Sequence, residues 1–202
     1  MISVVDYGAG NVESVMKAFR YIGCDVQLTQ KAQEIAVADA LVLPGVGAFG
    51  DAMQALRHSG LIEPVLHYLE QGKPFLGICL GLQLLFEGSE EAPGVPGLGV
   101  LHGRILRIPS GAGLKIPHIG WNSLHFLRTE GLFRGLADNA YVYFVHSYYL
   151  HADDREDVSA TTEYGVSIDA AVQRGNLCAV QFHPEKSGEI GLQMLRNFAA
   201  MQ

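Results

Sequence analysis

The sequence predicts an α/β fold, with a central, mostly parallel sheet flanked by helices and an antiparallel strand extension in the C-terminal half. Up to residue 87, short apolar runs alternate with segments whose apolar residues recur at the helical period, as is typical of parallel sheets. From residue 88 the chain becomes rich in glycine and proline and carries several short β-like runs, which indicates a meander. We expect residues 1–202 to form a single domain.

Composition narrows the possible partners and cofactors. Hydrophobic residues make up 49% of the 202 residues, so the chain can bury a sizeable core. The net charge of −7 and the lack of a basic run argue against nucleic acid, and no apolar run is long enough to predict a membrane span. The three cysteines and the lack of a basic signal-peptide region favour a reducing, cytoplasmic location. No clustered ligand spacing predicts a metal, and we expect no cofactor.

The N-terminal segment predicts a strand, a turn and a helix. Ile2–Val5 is an apolar run, and Asp6–Gly10 is expected to be a turn. Asn11 is a candidate N-cap, and Gly23 is a candidate C-terminal stop. A dinucleotide fingerprint at Gly8-Ala9-Gly10 is rejected because its third glycine position holds Glu13. The apolar residues of the helix are Val12, Val15, Met16, Phe19 and Ile22.

Two further strands are predicted before residue 50. Cys24–Leu28 is the second, and Ala40–Leu43 is a third that enters the glycine-rich segment Pro44–Gly47. Composition alone favours an ordinary strand-to-helix loop at that segment. A helix that Gly72 and Pro74 end is predicted from Leu61, Ile62, Val65, Leu66 and Leu69.

The C-terminal half predicts strands and one last helix. Leu177–Phe182 is expected to be a buried strand, whereas His118 and Trp121 are expected in a glycine/proline loop. The other β-like runs are Arg104–Ile108, Tyr141–Val145, Val158–Thr162 and Ala170–Arg174. From Gly188, the last helix is expected to bury Ile190, Met194, Leu195 and Phe198.

One stretch, Gly77-Ile78-Cys79-Leu80-Gly81, has the pattern of a nucleophile elbow. An apolar strand, Lys73–Leu76, precedes it, and Leu82–Glu87 is expected to be the first turns of a helix. Glycines two residues before and after Cys79 suit a turn too sharp for a Cβ on either side. At a helix N-terminus the sulfur would be favoured as thiolate. The alternative is a buried apolar cysteine between two packing glycines.

A second cluster, His183-Pro184-Glu185, follows the strand Leu177–Phe182. Residues i and i+2 of an extended chain point to the same side, and Pro184 keeps the preceding residue extended. His183 and Glu185 are therefore expected to project together, as a base and its orienting acid for Cys79. Taken separately, each could be an ordinary surface residue.

These motifs and several others resemble the class I (triad-type) glutamine amidotransferases. The elbow and the His-Pro-Glu segment are shared by many members. The Asp-Tyr-Gly-Ala-Gly-Asn and Gly-Trp-Asn segments are most similar to the glutaminase subunits of imidazole glycerol phosphate synthase, from histidine biosynthesis, and the resemblance spans residues 2 to about 200. The matching stretches are Asp6–Asn11, Pro44–Gly47, Lys115–Asn122, Tyr143–Tyr148 and Gln181–Ser187.

The resemblance implies a role for each site residue. Catalysis would fall to Cys79, His183 and Glu185, and the oxyanion donors would come from Gly45, Val46 and Gly47 together with Leu80. Gln83 lies one helical turn past Cys79 and is expected to face the same side. The other residues expected to bind glutamine are Glu91, His146, Ser147 and Tyr148, although Glu91 could be a solvated loop acid and His146 a structural residue.

The resemblance also implies a partner. The chain would form a heterodimer with a (β/α)8-barrel cyclase and send it ammonia through a tunnel, for synthesis of imidazole glycerol phosphate and an aminoimidazole carboxamide ribotide. Asn11, Trp121 and Lys186 are expected to face this partner, although Trp121 could instead cap the core. The alternatives are a glutaminase subunit of another amidotransferase, a cysteine hydrolase or protease on the same elbow, and a non-catalytic scaffold.

Overall fold

The computed structural model describes residues 1–8, 10–111 and 113–201. Ala9, within the predicted turn, lies outside the described residues, as do Ala112 and Gln202. The strands are β1 (Ile2–Val5), β2 (Val26–Thr29), β3 (Ala40–Gly45), β4 (Phe75–Cys79), β5 (Gly103–Arg107), β6 (His118–Ser123), β7 (His125–Phe126), β8 (Tyr141–His146), β9 (Tyr148–Ala152), β10 (Val158–Glu163), β11 (Ser167–Arg174) and β12 (Leu177–Val180).

Helices connect and cover these strands. They are α1 (Val12–Tyr21), α2 (Ala32–Ala36), α3 (Phe49–His58), α4 (Ile62–Glu70), α5 (Leu80–Gln83) and α6 (Gly188–Ala199). Short α2 and the longer α3 were not predicted from the sequence. In the part of the chain that the structure describes, none of the helices combines the length and the apolar character needed to cross a membrane.

One eight-stranded sheet organises the fold, in the order β2-β1-β3-β4-β12-β11-β10-β7. The five strands from β2 to β12 run parallel, and the last three pair antiparallel. Central strands β3 and β4 are buried along their whole length, as expected of strands covered on both faces. The predicted parallel sheet with an antiparallel extension is confirmed.

Two pairs of strands lie outside this sheet, which corrects the prediction that all C-terminal strands extend it. β5 pairs with β9, and β6 pairs with β8, each as a separate two-stranded ribbon. The segment containing His118 and Trp121 is therefore strand β6 and not a loop. Gly120, with φ +136°, lets the strand adopt a backbone conformation that other residues rarely reach. Gly120 is one of the residues that predict a loop, but it lies within strand β6.

The helix after the elbow is also shorter than predicted. α5 ends at Gln83, whereas the sequence predicted a helix over Leu82–Glu87. The carbonyls that would continue the helix are occupied, because Leu98 N–H donates to Leu84 O and Val100 N–H donates to Leu85 O, both at 2.8 Å. A later segment of the chain therefore limits α5 to about one turn.

Two apolar clusters pack on the two faces of the sheet. One joins α1 and α6 to it through Phe19 and Phe198, and the other joins α3 and α4 through Phe49 and Tyr68. The carboxyl ends of β3, β4 and β12 consequently meet at one edge of a covered sheet. Ligands bind at that edge in folds of this kind.

Candidate active site

The elbow has the strained backbone that its sequence predicts. Cys79 ends β4 with φ +54° and ψ −109°, a conformation rare for a residue with a side chain. A Cβ on Gly77 would lie 2.9 Å from the Gly81 carbonyl oxygen, and one on Gly81 would overlap the Leu43 carbonyl oxygen. The two glycines therefore let β3, β4 and α5 approach closely enough to present the sulfur.

His183 and Glu185 meet as predicted, although the backbone between them is not extended. His183 Nδ1 lies 2.8 Å from Glu185 Oε1, and both side chains are almost fully buried. Pro184–Lys186 forms a short 3-10 turn after an extended His183. Ser187 Oγ donates to the His183 carbonyl at 2.6 Å and holds this turn closed. The pairing thus comes from a turn fixed by Ser187, and not from strand alternation.

The neighbours of His183 stabilise its protonated form. Burial alone would lower its pKa, but hydrogen bonds to Cys79 and Glu185 outweigh burial and raise the pKa to about 10. Because Nδ1 bonds to Glu185, the nitrogen that interacts with the sulfur is Nε2. The His183 imidazole is therefore held as an imidazolium at neutral pH, facing the Cys79 sulfur.

A cavity of about 290 Å³ opens over the sulfur and brings most of the predicted site residues together. Its volume is at the small end of the range for ligand pockets. The residues that line it are Val46, Gly47, Cys79, Leu80, Gln83, Glu91, Pro117, Val145, His146, Ser147, Tyr148, His183 and Lys186. A larger cavity of about 550 Å³ lies elsewhere, near Leu66 and Leu177, and contains none of the predicted site residues.

The predicted oxyanion segment lies against the elbow. Gly45 ends β3, where an added Cβ would lie 2.9 Å from Leu80 Cβ, while Gly47 has φ +98°. Leu80 is the first residue of α5, so its N–H has no partner within the helix. Tyr7, which the sequence did not single out, donates from its hydroxyl to the Pro44 carbonyl at 2.9 Å. Burial, followed by the charge of Cys79, raises the pKa of this phenol, so it remains a donor.

Gln83 faces the cavity, but its amide nitrogen is already used. It donates to the Tyr148 carbonyl at 3.1 Å and to Gln181 Oε1 at 2.9 Å. Gln181 is fully buried, and its Nε2 lies 3.7 Å from Cys79 Sγ. Sequence reasoning missed Gln181, although it lies two residues before His183 and the same alternation could have found it.

His146 lines the cavity as a neutral imidazole whose two ring nitrogens both make hydrogen bonds. Its Nδ1 donates to the Tyr148 carbonyl at 2.9 Å, so its Nε2 accepts from His118 Nδ1 at 3.0 Å. Burial lowers the pKa of both rings to about 4. This favours the structural alternative for His146 over direct contact with glutamine.

Glu91 also lines the cavity, and one of its oxygens is occupied. Glu91 Oε2 accepts from the backbone N–H of Phe49 at 2.8 Å, at the start of α3. The carboxylate is therefore held in place by a helix N-terminus, where negative charge is favoured. The solvated-loop alternative does not describe this half-buried, bonded carboxylate.

The three predicted partner-facing residues differ in exposure. Trp121 is 55% exposed, which excludes the alternative that it caps the core, and its ring packs edge-on against Tyr143. Lys186 is exposed at the cavity. Asn11 is half-buried and is the N-cap residue of α1, as expected, but its side chain accepts from the Ser14 hydroxyl at 3.1 Å and makes no capping hydrogen bond to the backbone.

The fold and the cysteine site define the class of protein as a glutamine amidotransferase. The family described as glutamine amidotransferase class-I matches residues 3–201. Two solved structures share the fold: a glutamine amidotransferase (TM-score 0.78, 22% identity, 100% of this chain and 98% of that chain) and PurLQS from Thermotoga maritima (0.77, 21%, 98% and 97%).

Full-length relatives identify the group within that class. The imidazole glycerol phosphate synthase subunit HisH of Methanothermobacter thermautotrophicus is 53% identical over 98% of this chain and 97% of its own length. HisH of Caldanaerobacter subterraneus subsp. tengcongensis is 48% identical over 100% of this chain and 98% of its own. The chain therefore belongs to the class I glutamine amidotransferase family, within the group of glutaminase subunits of imidazole glycerol phosphate synthase.

Proposed function

We propose that Cys79, His183 and Glu185 hydrolyse glutamine, and that the ammonia passes to a (β/α)8-barrel cyclase bound as a heterodimeric partner. One observation carries the proposal: Cys79 and His183 line the same small cavity, and His183 is hydrogen-bonded to Glu185 behind it. A nucleophile, a base and an orienting acid are the groups that acyl transfer from an amide requires.

In the first half of the reaction, the Cys79 thiolate attacks the carboxamide carbon of glutamine. The tetrahedral oxyanion is stabilised by backbone N–H groups of the Gly45–Gly47 segment and of Leu80. His183 Nε2 then gives its proton to the departing nitrogen, so that ammonia leaves and a glutamyl thioester remains. The Glu185 carboxylate stabilises the imidazolium and fixes its orientation through Nδ1.

In the second half, His183 takes a proton from water, which attacks the thioester and releases glutamate and the thiolate. Glu91, held by the start of α3, has the charge to bind the substrate α-ammonium. Ser147 and Tyr148 line the same cavity, where hydroxyl or backbone groups can hold the α-carboxylate.

The outer face of the β6–β8 ribbon is the proposed docking surface for the cyclase. Trp121 opposes Tyr143 and Ile119 opposes Val145 in the register of the two strands. Ile119 is 59% and Trp121 is 55% exposed, and Val145 also lines the cavity. A partner bound here would cover an apolar patch and also close over the site where ammonia is released.

Glutamine hydrolysis should depend on this partner. Turning the peptide plane between Gly45 and Val46 would aim a carbonyl at the oxyanion, and losing one donor costs ~2.7–4 kcal/mol, or roughly 100- to 1,000-fold in rate. We expect the isolated chain to be nearly inactive, and the partner with its nucleotide to favour the active arrangement. Glutamate release would be measured for the chain alone, with the cyclase, and with the cyclase plus nucleotide. Equal kcat in all three would refute this switch.

Glu185→Gln should lower the glutaminase kcat strongly with the fold retained. The amide keeps the size of the side chain but removes the charge that stabilises the His183 imidazolium, which is buried with it. Lys186→Ala is the matched control, because this exposed residue is next in sequence, whereas the carboxylate bonded to the imidazole belongs to Glu185. Both variants would be assayed in saturated complex with the cyclase. Equal losses of kcat would contradict the assignment of Glu185.

A further inference from the structure

One backbone carbonyl, that of Tyr148, fixes the direction of the hydrogen bonds beneath the cavity. A carbonyl oxygen can only accept, so the Gln83 atom 3.1 Å away must be its NH2 nitrogen. The same nitrogen has a second N–H, which is directed at the side-chain amide of Gln181 at 2.9 Å. Gln181 must therefore present its own oxygen to Gln83.

With its oxygen committed, Gln181 can offer only its NH2 group to the other side. That group lies 3.7 Å from Cys79 Sγ. Gln181 is fully buried, so no water competes for the N–H. We propose that Gln181 is a further catalytic residue of this glutaminase, one that donates a hydrogen bond to the Cys79 thiolate and is held in that orientation by Gln83.

A second contact at the sulfur shows why the donor is needed. Cys79 Sγ also lies 3.8 Å from the Val145 carbonyl, which can accept a hydrogen bond from the thiol but only repels a thiolate. Gln181 has the opposite preference, because an amide N–H bonds more strongly to an anion than to a neutral sulfur. Of these two contacts, the Gln181 N–H is the one that stabilises the sulfur once it is charged.

Several other groups act on the same sulfur and remain unchanged in the test. His183 interacts with it electrostatically, Glu185 acts through His183, and Tyr7 lies close enough for the charge of Cys79 to raise the pKa of its phenol. Lys186 lines the cavity above it. Since Cys79 and His183 exchange a proton, a pH profile of thiol reactivity reports on the pair.

The test is the pH dependence of iodoacetamide alkylation at Cys79, measured on the full chain by peptide mass spectrometry. Gln181→Met removes the donor and should raise the midpoint of the alkylation pH profile by about one pH unit. At a fixed pH below the midpoint, alkylation should then be about tenfold slower. Gln181→Glu should raise it further, because the carboxylate still accepts from Gln83 but places negative charge beside the sulfur. Gln83→Ala should also raise it, although Gln83 does not touch the sulfur, because the Gln181 amide is then free to turn over.

Gln173→Met is the matched control, since this amide on β11 donates to the Gly175 carbonyl and is not among the residues that line the cavity in the described part of the chain. It should leave the midpoint unchanged. A Gln181→Met protein that folds, as judged by circular dichroism, with the native midpoint would overturn the proposal and leave Gln181 a packing residue. Equal midpoints for Gln181→Met and Gln181→Glu would overturn it as well.

The inference deepens the proposed function and rests on Cys79 as its nucleophile, but the two can fail separately. Alkylation needs no glutamine, no cyclase and no turnover, so its pH profile tests only the donor to the sulfur. Glutamine hydrolysis that survived replacement of Cys79 would instead refute the proposed function.

Discussion

Cys79→Ala is expected to abolish glutamine-dependent synthesis by the complex and to leave ammonia-dependent synthesis intact. The cyclase needs only ammonia, whereas release of ammonia from an amide needs the sulfur at the elbow. Both reactions would be followed with the same purified complex, supplied with glutamine or with an ammonium salt. Product formation from glutamine by the variant would exclude Cys79 as the nucleophile.

The other two cysteines provide the controls. Cys178 is fully buried in β12, where burial raises the pKa of its thiol to about 12 and so disfavours the thiolate. Cys24 is only partly exposed at the end of α1. Cys24→Ala and Cys178→Ala should retain glutaminase activity and lose at most about 1 kcal/mol of stability as small core substitutions.

Gly81→Ala is expected to lower the free energy of unfolding by about 3 kcal/mol or more and to abolish glutaminase activity. The new methyl group would overlap the carbonyl oxygen of Leu43, and that backbone is fixed because β3 is paired with both β1 and β4. Relief would require α5 to move away from β3, which displaces Cys79 from His183. Urea denaturation and glutamate release measure the two effects.

Gly88→Ala is the matched control for this substitution. Its added methyl would meet the Val95 carbonyl oxygen at 3.5 Å, an ordinary contact, and its φ is not positive. Native-like stability and activity are therefore expected. If Gly81→Ala unfolded at the same urea concentration as the unsubstituted protein, the elbow would tolerate a methyl group there, contrary to this prediction.

Features set by local geometry could be predicted from the sequence. The glycines that shape the elbow lie two residues from Cys79, and Glu185 lies two residues from His183. Each short stretch therefore contains the residues that position its own reactive group. The parallel half of the sheet followed from alternating patterns, and the turn at Gly23, with φ +83°, followed from the glycine. The roles of the site residues remain predictions until the variants are measured.

Features set by distant contacts could not be predicted in the same way. The length of α5 depends on N–H groups of Leu98 and Val100, which follow in a loop with no periodic signal. Strand β6 depends on its pairing with β8, which overrides the loop character of Gly120. The orientation of Gln181 depends on Gln83, 98 positions away in sequence. Each of these is a tertiary hydrogen bond that no pattern within one segment encodes.

The left-handed backbone of Cys79 has a consequence for how this chain can change over evolutionary time. A side chain held at such a φ and ψ costs of order 1–3 kcal/mol, and glycine at the same position would be relieved of most of that strain. Replacing Cys79 by glycine would therefore relieve this strain and remove the nucleophile in the same step. Because the backbone strain at residue 79 favours glycine, we expect cysteine to be retained there where ammonia production from glutamine is required.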